Sequence, residues 1–330
     1  MNIKILHIGS KYHGDNDIVS HFSSSLKKYS EVYEYWILPP RGFIYKNFWK
    51  RLEGPFHIWK PNYISIKGIN RILESIGQDI NCIVINSGGF FISKRTLRNL
   101  NDRGIRVVTI SLSDPDVYKS QTFFQVRASN LHFTNSVLVK NKLGKEKKVK
   151  DVIFGVTDNK IKYKVDLDNR IYDIIVVGES RPERVGVIHE ISRRYPDLKI
   201  GCYGRGWDYK YSCGYVTGDM LEDALNSGKI YISFSRTLCG YKNIKVGMFE
   251  AMSAGCCVIS DNMSVLPEDL INGIDLFSVS SEDEIVELVG RLNETDIKTI
   301  ANNGHRKLRK KFVWEKTINK FIQDIKSELF

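Results

Sequence analysis

The 330-residue sequence has little cysteine chemistry to offer. Its six cysteines, Cys82, Cys202, Cys213, Cys239, Cys256 and Cys257, form no Cys-x-x-Cys pair and have no paired histidines beside them. That excludes the common zinc frameworks and a disulfide-built scaffold, and leaves buried free thiols of a reducing compartment as the reading. Long apolar runs are missing too. Stretches such as Ile83–Ile85 and Ile174–Val177 fall far short of the roughly 20 residues of a membrane span. The opening segment Met1–Gly9 alternates as a strand does and lacks the apolar core and cleavage site of a secretory leader, so a cytoplasmic protein is expected, with peripheral attachment to a membrane surface as the variant. No low-complexity tract or short-period repeat is visible. Acidic residues are in deficit: 38 Asp and Glu face 49 Lys and Arg, a formal net charge of +11. Such an excess favours an anionic partner, whether a nucleotide, a phosphorylated acceptor, nucleic acid or a lipid surface.

What is present is the make-up of an ordinary globular protein, 42% hydrophobic and 26% charged, at about twice the usual size of one domain. Short β-rich runs alternate with longer helical patterns. The spacing predicts strands at Ile3–Gly9, Val32–Leu38, Ile80–Asn86, Arg106–Leu112, Leu131–Thr134 and Val152–Gly155, then at Tyr172–Gly178, Leu198–Tyr203, Ile230–Ser235, Cys257–Ser260 and Leu276–Val279. Helices are expected near Asp15–Tyr29, Lys67–Gly77, Lys94–Arg103, Pro182–Tyr195, Asp219–Ser227, Ile244–Ala254 and Glu282–Asn293, and over Asp296–Phe330 with a break near Phe312–Trp314. Continuous apolar strands bounded by helices mean parallel sheets covered on both faces. The alternation stops and restarts in the polar stretch Gly155–Asn169. The fold class is therefore α/β, with two Rossmann-like domains, 1–160 and 161–330, facing a central cleft.

The first strand–turn–helix, Gly9-Ser10-Lys11-Tyr12-His13-Gly14-Asp15, is neither Gly-x-Gly-x-x-Gly nor a P-loop, which disfavours a nicotinamide enzyme and an ATPase. A glycine loop with Gly9, Ser10 or His13 near a substrate and a plain tight turn remain even alternatives. Asp114-Pro115-Asp116 follows a predicted parallel strand, where open α/β sheets place ligands. Its spacing is that of a metal-binding Asp-x-Asp, yet Pro115 makes a turn the simpler explanation, and no metal is expected.

The second half is richer. Arg181 and Arg184 flank the Pro182 helix start, where a cation opposes the helix dipole unless an anion is bound. Both can grip a diphosphate through forked hydrogen bonds. Gly204-Arg205-Gly206-Trp207 closes the next strand and lets a base or phosphate approach the backbone. A basic loop, Arg236 to Lys245 with Tyr241, Lys242 and Asn243, then feeds a helix that ends at Gly255 before a buried strand. A helix N-terminus beside Lys242 and Lys245 is a ready anion site. Ile244, Met248 and Met252 share one face; Glu250 lies off it, on a helix otherwise of small and apolar residues, placed to accept hydrogen bonds from a ribose.

The run Phe249-Glu250-Ala251-Met252-Ser253-Ala254-Gly255-Cys256-Cys257-Val258-Ile259-Ser260 closely resembles the C-terminal signature of GT-B glycosyltransferases. The surrounding pattern is most similar to their spore-maturation (CgeB-type) branch, through Val177-Gly178 followed by Arg184, Gly204-Arg205-Gly206-Trp207, Ile300-Ala301-Asn302-Asn303-Gly304-His305 and Asp114-Pro115. The resemblance spans roughly residues 105–325 and is specific in the second half. It implies an N-terminal acceptor domain, a C-terminal donor domain, and a last helix returning to the first domain. It further implies that Glu250 holds the donor ribose and that Arg184 and Lys245 meet the diphosphate of a nucleoside-diphosphate sugar, UDP-sugar above all. The implied reaction is metal-independent and retaining, transferring a hexosyl or pentosyl group to a glycan, lipid-linked, protein or nucleic-acid acceptor. In place of the second glutamate common in related retaining enzymes stands Lys242. If inversion operates, Asp114 or His13 is the base. Two alternatives stay open. One is a glycosyltransferase acting on DNA bases, with Lys11, Lys46, Lys50 and Arg51 around Phe48 and Trp49 as a basic-aromatic strip. The other is a non-catalytic sugar-nucleotide or glycan-binding protein.

Overall fold

The computed structural model describes residues 3–10, 18–37, 62–64, 66–76, 79–86, 90–92, 94–112, 114–143, 148–152, 155–156, 162–237 and 239–330. His13 and the strip of Lys11, Lys46, Phe48, Trp49, Lys50 and Arg51 lie outside them. The chain divides into two compact units, Met1–Ile153 with Thr317–Phe330, and Phe154–Lys316.

The first unit is built on β1 (Lys4–Ser10), β2 (Glu31–Ile37), β3 (Asn62–Ile64), β4 (Cys82–Asn86), β5 (Phe90–Ile92), β6 (Arg106–Ser111), β7 (Leu131–Thr134) and β8 (Val149–Asp151). Six of these form one parallel sheet in the order β2-β1-β4-β6-β7-β8, while β3 and β5 pair separately. The central strands are apolar on both faces, and Cys82 to Asn86 are buried throughout, as a doubly covered parallel sheet requires. Helices Ile18–Leu26, Ile66–Ile76 and Lys94–Asp102 supply the crossovers of the first half. Leu6, Ile83, Ile85, Val107 and Leu100 share one core cluster. The last strand lies at Val149–Asp151 rather than Val152–Gly155. Its single buried residue, Val149, is flanked by Lys148 and Lys150, the outward charges that blunt an edge strand, and these hid it in a lysine-rich run.

The second unit holds β9 (Tyr172–Val177), β10 (Ile200–Tyr203), β11 (Gly228–Ser233), β12 (Cys257–Ser260) and β13 (Phe277–Ser278), all parallel, in the order β10-β9-β11-β12-β13. Helices Pro182–Arg194, Asp219–Asn226, Val246–Ser253, Glu282–Val289 and Glu294–Lys311 cover it. Helix Glu294–Lys311 opens with a capping box between Asn293 and Asp296. It ends at Phe312, where Val313 pairs with Val156 before helix Trp314–Leu329 begins. Gly155 is needed there: a Cβ on it would lie 2.6 Å from the Trp314 backbone. Four cysteines are buried, Cys213 is half-buried and Cys239 is exposed. Burial pushes the Cys202 thiol up to about 12.

Burial of His7 contributes to an acid limit. His7 on β1 is wholly enclosed, its ring 5.7 Å from Phe22 and 5.5 Å from Trp36, and neither ring nitrogen has a hydrogen-bond partner among the described residues. Burial lowers its pKa to about 4 against the opposing pull of Glu34. The folded state therefore keeps His7 neutral while the unfolded chain takes up its proton near pH 6.5. The stability this confers is complete above that pH and is lost as pH falls toward 4, by about 3 kcal/mol. In urea titrations across this window, His7→Leu is expected to flatten the decline by a like amount; an unchanged slope would refute the assignment.

Candidate functional site

Strand order reverses between β9 and β11, and ligands of open parallel sheets bind outside the strand C-termini at such a reversal. The loop after β9 begins at Gly178, whose φ of 139° suits only glycine, and a Cβ there would sit 2.7 Å from Nη1 of Arg184. Gly204, after β10, has a φ of 150°, and a Cβ on it would overlap the carbonyl of Gly178. The two loops are laced together. Gly178 N donates to Tyr203 O at 2.7 Å, Ser180 N to Arg205 O at 2.9 Å, and the buried Trp207 indole to Gly178 O at 2.8 Å. Trp207 thus belongs to the core and fastens the loop from beneath, while Arg205 points outward over the Tyr215 ring at 4.9 Å.

Arg184 occupies the first turn of helix Pro182–Arg194, which starts at Pro182 after an extended Arg181. One guanidinium nitrogen donates to Glu179 O at 2.8 Å and the group lies 5.7 Å from the Phe234 ring centroid. Its Nε is buried and finds no hydrogen-bond partner among the described residues. Burial, and then the like charge of Arg181, pull its pKa below the usual arginine value. Arg181 reaches the Arg236 carbonyl at 3.4 Å. Two guanidiniums and a helix N-terminus therefore converge on the end of β9, an arrangement an anion would relieve.

The basic loop is a compact turn: Thr237 N donates to Tyr241 O at 2.7 Å, Asn243 N to Ser235 O at 3.0 Å, and Arg236 pairs with Lys242 in an isolated bridge. Lys245 is extended as the helix N-cap, so the helix starts at Val246 and not Ile244. Arg236 is paired with Glu282 at 2.9 Å and Tyr241 is exposed. Lys242, in the place of the second glutamate, donates to the carbonyls of Asp261 at 2.8 Å and Ser280 at 2.5 Å, and lies 3.7 Å from the Asp261 carboxylate. It thereby ties the ends of β12 and β13 to the basic loop. Asp261, fully buried, also accepts from Ser235 N at 2.6 Å.

Lys245 precedes the first turn of helix Val246–Ser253, a turn with no acidic residue. Glu250 is half-buried between the enclosed Phe249 and Ala251. The hydroxyl of Tyr231 on β11 reaches the same helix and would be 2.7 Å from a Cβ on Gly247. Burial first, then the Glu250 charge, push the Tyr231 hydroxyl pKa up, while Arg184 opposes. Tyr231 thus senses both Arg184 and Glu250. Sequence reasoning missed Tyr231 and Asp261: a tyrosine inside an apolar strand reads as core, and the aspartate follows β12 without a distinguishing neighbour. The absence of a Cβ at Gly247, in the first turn, was the available signal.

In the first unit, Gly9, next to last in β1, is packed so tightly that a Cβ would lie 2.8 Å from the Trp36 ring. Ser10 closes the same strand. Asp114 is buried, accepting hydrogen bonds from Thr122 at 2.5 Å and Thr134 at 2.6 Å. Burial raises its pKa against these bonds, and both oxygens serve to hold the segment after β6. Asn86, at the end of β4, is buried with its amide nitrogen lacking a partner among the described residues, beside this unit's own strand-order reversal between β1 and β4. Among the described residues no group of three His, Cys, Asp or Glu is placed to hold a metal, and no helix is long and apolar enough to cross a membrane.

Residues 184–323 match the model of a family described as glycosyl transferase-like. No curated protein matches the sequence. Among solved structures, HepE of Anabaena, crystallised with UDP and glucose, aligns over 99% of this chain and 100% of its own, with 12% identity and a TM-score of 0.62. Sucrose-phosphate synthase of Thermosynechococcus elongatus aligns over 99% of each chain, with 12% identity and a TM-score of 0.65. TarM of S. aureus, a variant of which was crystallised with UDP and alpha-GlcNAc-glycerol, aligns over 78% of this chain at 12% identity and a TM-score of 0.60, and the alignment spans 57% of TarM. The fold is thus of the GT-B type, built of two Rossmann-like domains.

Proposed function

We propose that the chain is a glycosyltransferase that takes a sugar from a nucleoside diphosphate, UDP above all, and passes it to an acceptor hydroxyl. The observation that carries this reading is Arg184: a guanidinium held partly out of water, next to a second arginine, with a buried N–H left over at the strand-order reversal. A diphosphate supplies the charge this group lacks. The match of residues 184–323 to a glycosyl transferase-like family supports the reading, as does the occurrence of UDP in HepE, a protein of the same fold. The spore-maturation branch and the acceptor role of the first unit rest on the sequence motifs.

In the reaction, the acceptor oxygen forms a bond to the anomeric carbon as the bond from that carbon to the diphosphate oxygen breaks. Negative charge grows on the departing diphosphate, and Arg184, Arg181, Lys245 and the N–H groups of Val246 and Gly247 stabilise it where it develops. With retention, that same diphosphate oxygen takes the acceptor's proton, and no side-chain base is required. This suits an Asp114 whose carboxylate is turned inward. Glu250 accepts from the ribose hydroxyls. On the acceptor side stand Gly9, Ser10 and Asn86, at the ends of β1 and β4.

UDP is expected to raise the melting temperature, by the equivalent of about 2.7 kcal/mol at a hundredfold excess over Kd. Glu250→Ala should weaken UDP binding about tenfold to a hundredfold through its lost charged hydrogen bonds. Lys245→Ala should lower kcat by a similar factor with little change in KM, since its charge matters most once the bond is breaking. Donor hydrolysis without acceptor separates an enzyme from a binding module. Full activity in both variants would remove this site from consideration.

A further inference from the structure

The net charge is not shared between the units. The first carries 26 Lys and Arg against 14 Asp and Glu, the second 23 against 24, so the whole excess resides in the first. The donor site described above lies in the second unit and does not account for it.

Part of this charge is organised. The segment after β6 forms a π-helical turn, Tyr118–Thr122, running into helix Phe123–Arg127; helix Val137–Leu143 follows β7. Tyr118 packs on the small core of Val126, Val139, Leu143 and Val149 beneath the β8 edge. Across the surface runs a ladder of cations and rings. Arg127 lies 4.0 Å over the Phe123 ring, Phe123 meets Tyr118 edge-on at 6.4 Å, and Lys142 lies 4.7 Å over Tyr118. Lys119 is exposed beside Tyr118, and Leu138 is 42% exposed. Lysines that merely guard an edge strand behave differently: Lys140 pairs with Asp151 at 2.7 Å and Lys150 with Glu328 at 2.6 Å.

We infer that this face of the first unit docks on an anionic lipid surface. Cations standing on half-buried aromatic rings, with an exposed leucine beside them, match the layered chemistry of a bilayer interface, where phosphates lie above and the acyl boundary below. Nucleic acid would ask for open ring faces to stack on, and here Arg127 and Lys142 cover them. Juxtamembrane cations contribute about a fivefold change in partitioning each.

The test is sedimentation of the full chain with vesicles of equal parts phosphatidylglycerol and phosphatidylcholine at about 0.1 M salt, without any donor. Wild-type protein should sediment with these and not with pure phosphatidylcholine. The triple variant Lys119→Gln, Arg127→Gln, Lys142→Gln should lose binding on the order of a hundredfold, with its melting temperature and its response to UDP unchanged. The double variant Arg306→Gln, Lys310→Gln in the second unit should bind as wild type. Equal binding to both vesicle types, undiminished binding by the triple variant, or binding to a DNA duplex in place of vesicles would each overturn the inference. Failure of UDP to bind would leave this result untouched, so the two readings fall separately.

Discussion

Arg184→Gln is expected to abolish the stabilisation by UDP and lower kcat/KM on the order of a thousandfold, while leaving the unliganded protein as stable as before within about 1 kcal/mol. The two halves of this expectation come from one geometry. In the unliganded state the guanidinium is a liability: it is desolvated, it faces Arg181, and its buried Nε is unmatched. Removing a charge held so poorly costs little, because the lost bond to Glu179 O and the contact with the Phe234 ring are offset by relief from the neighbouring cation. With a diphosphate bound the account reverses, since forked, charge-assisted hydrogen bonds in a partly dry site are among the strongest available. Arg184→Lys should recover only part of the loss, because an ammonium offers a point charge and no fork. Thermal melts with and without UDP check both halves. A variant that is destabilised and still binds UDP would show Arg184 to be a structural residue.

Much of this arrangement was legible in the sequence because parallel sheets announce themselves. Apolar runs such as Cys82–Asn86 and Tyr172–Val177, each followed by polar turns and helical spacing, gave both sheets. Positions at strand ends, such as Gly178, Gly204 and the Arg181–Arg184 helix start, could be singled out because glycine and clustered cations are unusual there. What stayed hidden depends on pairing across the chain. Lys242 looked like a free cation beside an anion site, and only its carbonyl partners after β12 and β13 show it fastening loops. Trp207 read as part of a loop open to a base or phosphate, yet its indole N–H is donated to Gly178 O. Asp114 read as a strand-end carboxylate placed to meet substrate, whereas Thr122 and Thr134 enclose it. In each case the residue type was informative and its direction was not, since direction follows from neighbours distant in sequence.

Gly204→Ala is expected to be the most damaging single methyl group in the second unit. Two effects add at this position. A φ of 150° is strained for any residue with a Cβ, at about 1–3 kcal/mol. The added carbon would also meet backbone that cannot swing aside: the carbonyl of Gly178, and the Glu179 nitrogen at 3.1 Å. Relief requires the loops after β9 and β10 to part, which breaks the bonds from Gly178 N to Tyr203 O and from Ser180 N to Arg205 O. The total should reach about 3–5 kcal/mol, or roughly 6–20 °C in the melting temperature of this unit, and UDP binding should fail with it because Arg184 packs against Gly178. Gly104→Ala and Gly214→Ala give the control. Both glycines have positive φ, 76° and 84°, and neither has an atom within 4 Å of its missing Cβ, so each should cost only about 1 kcal/mol of conformational strain. If all three variants melt alike, backbone conformation alone governs these positions. In that case the contact between the two strand-end loops contributes nothing to holding Arg184 in place.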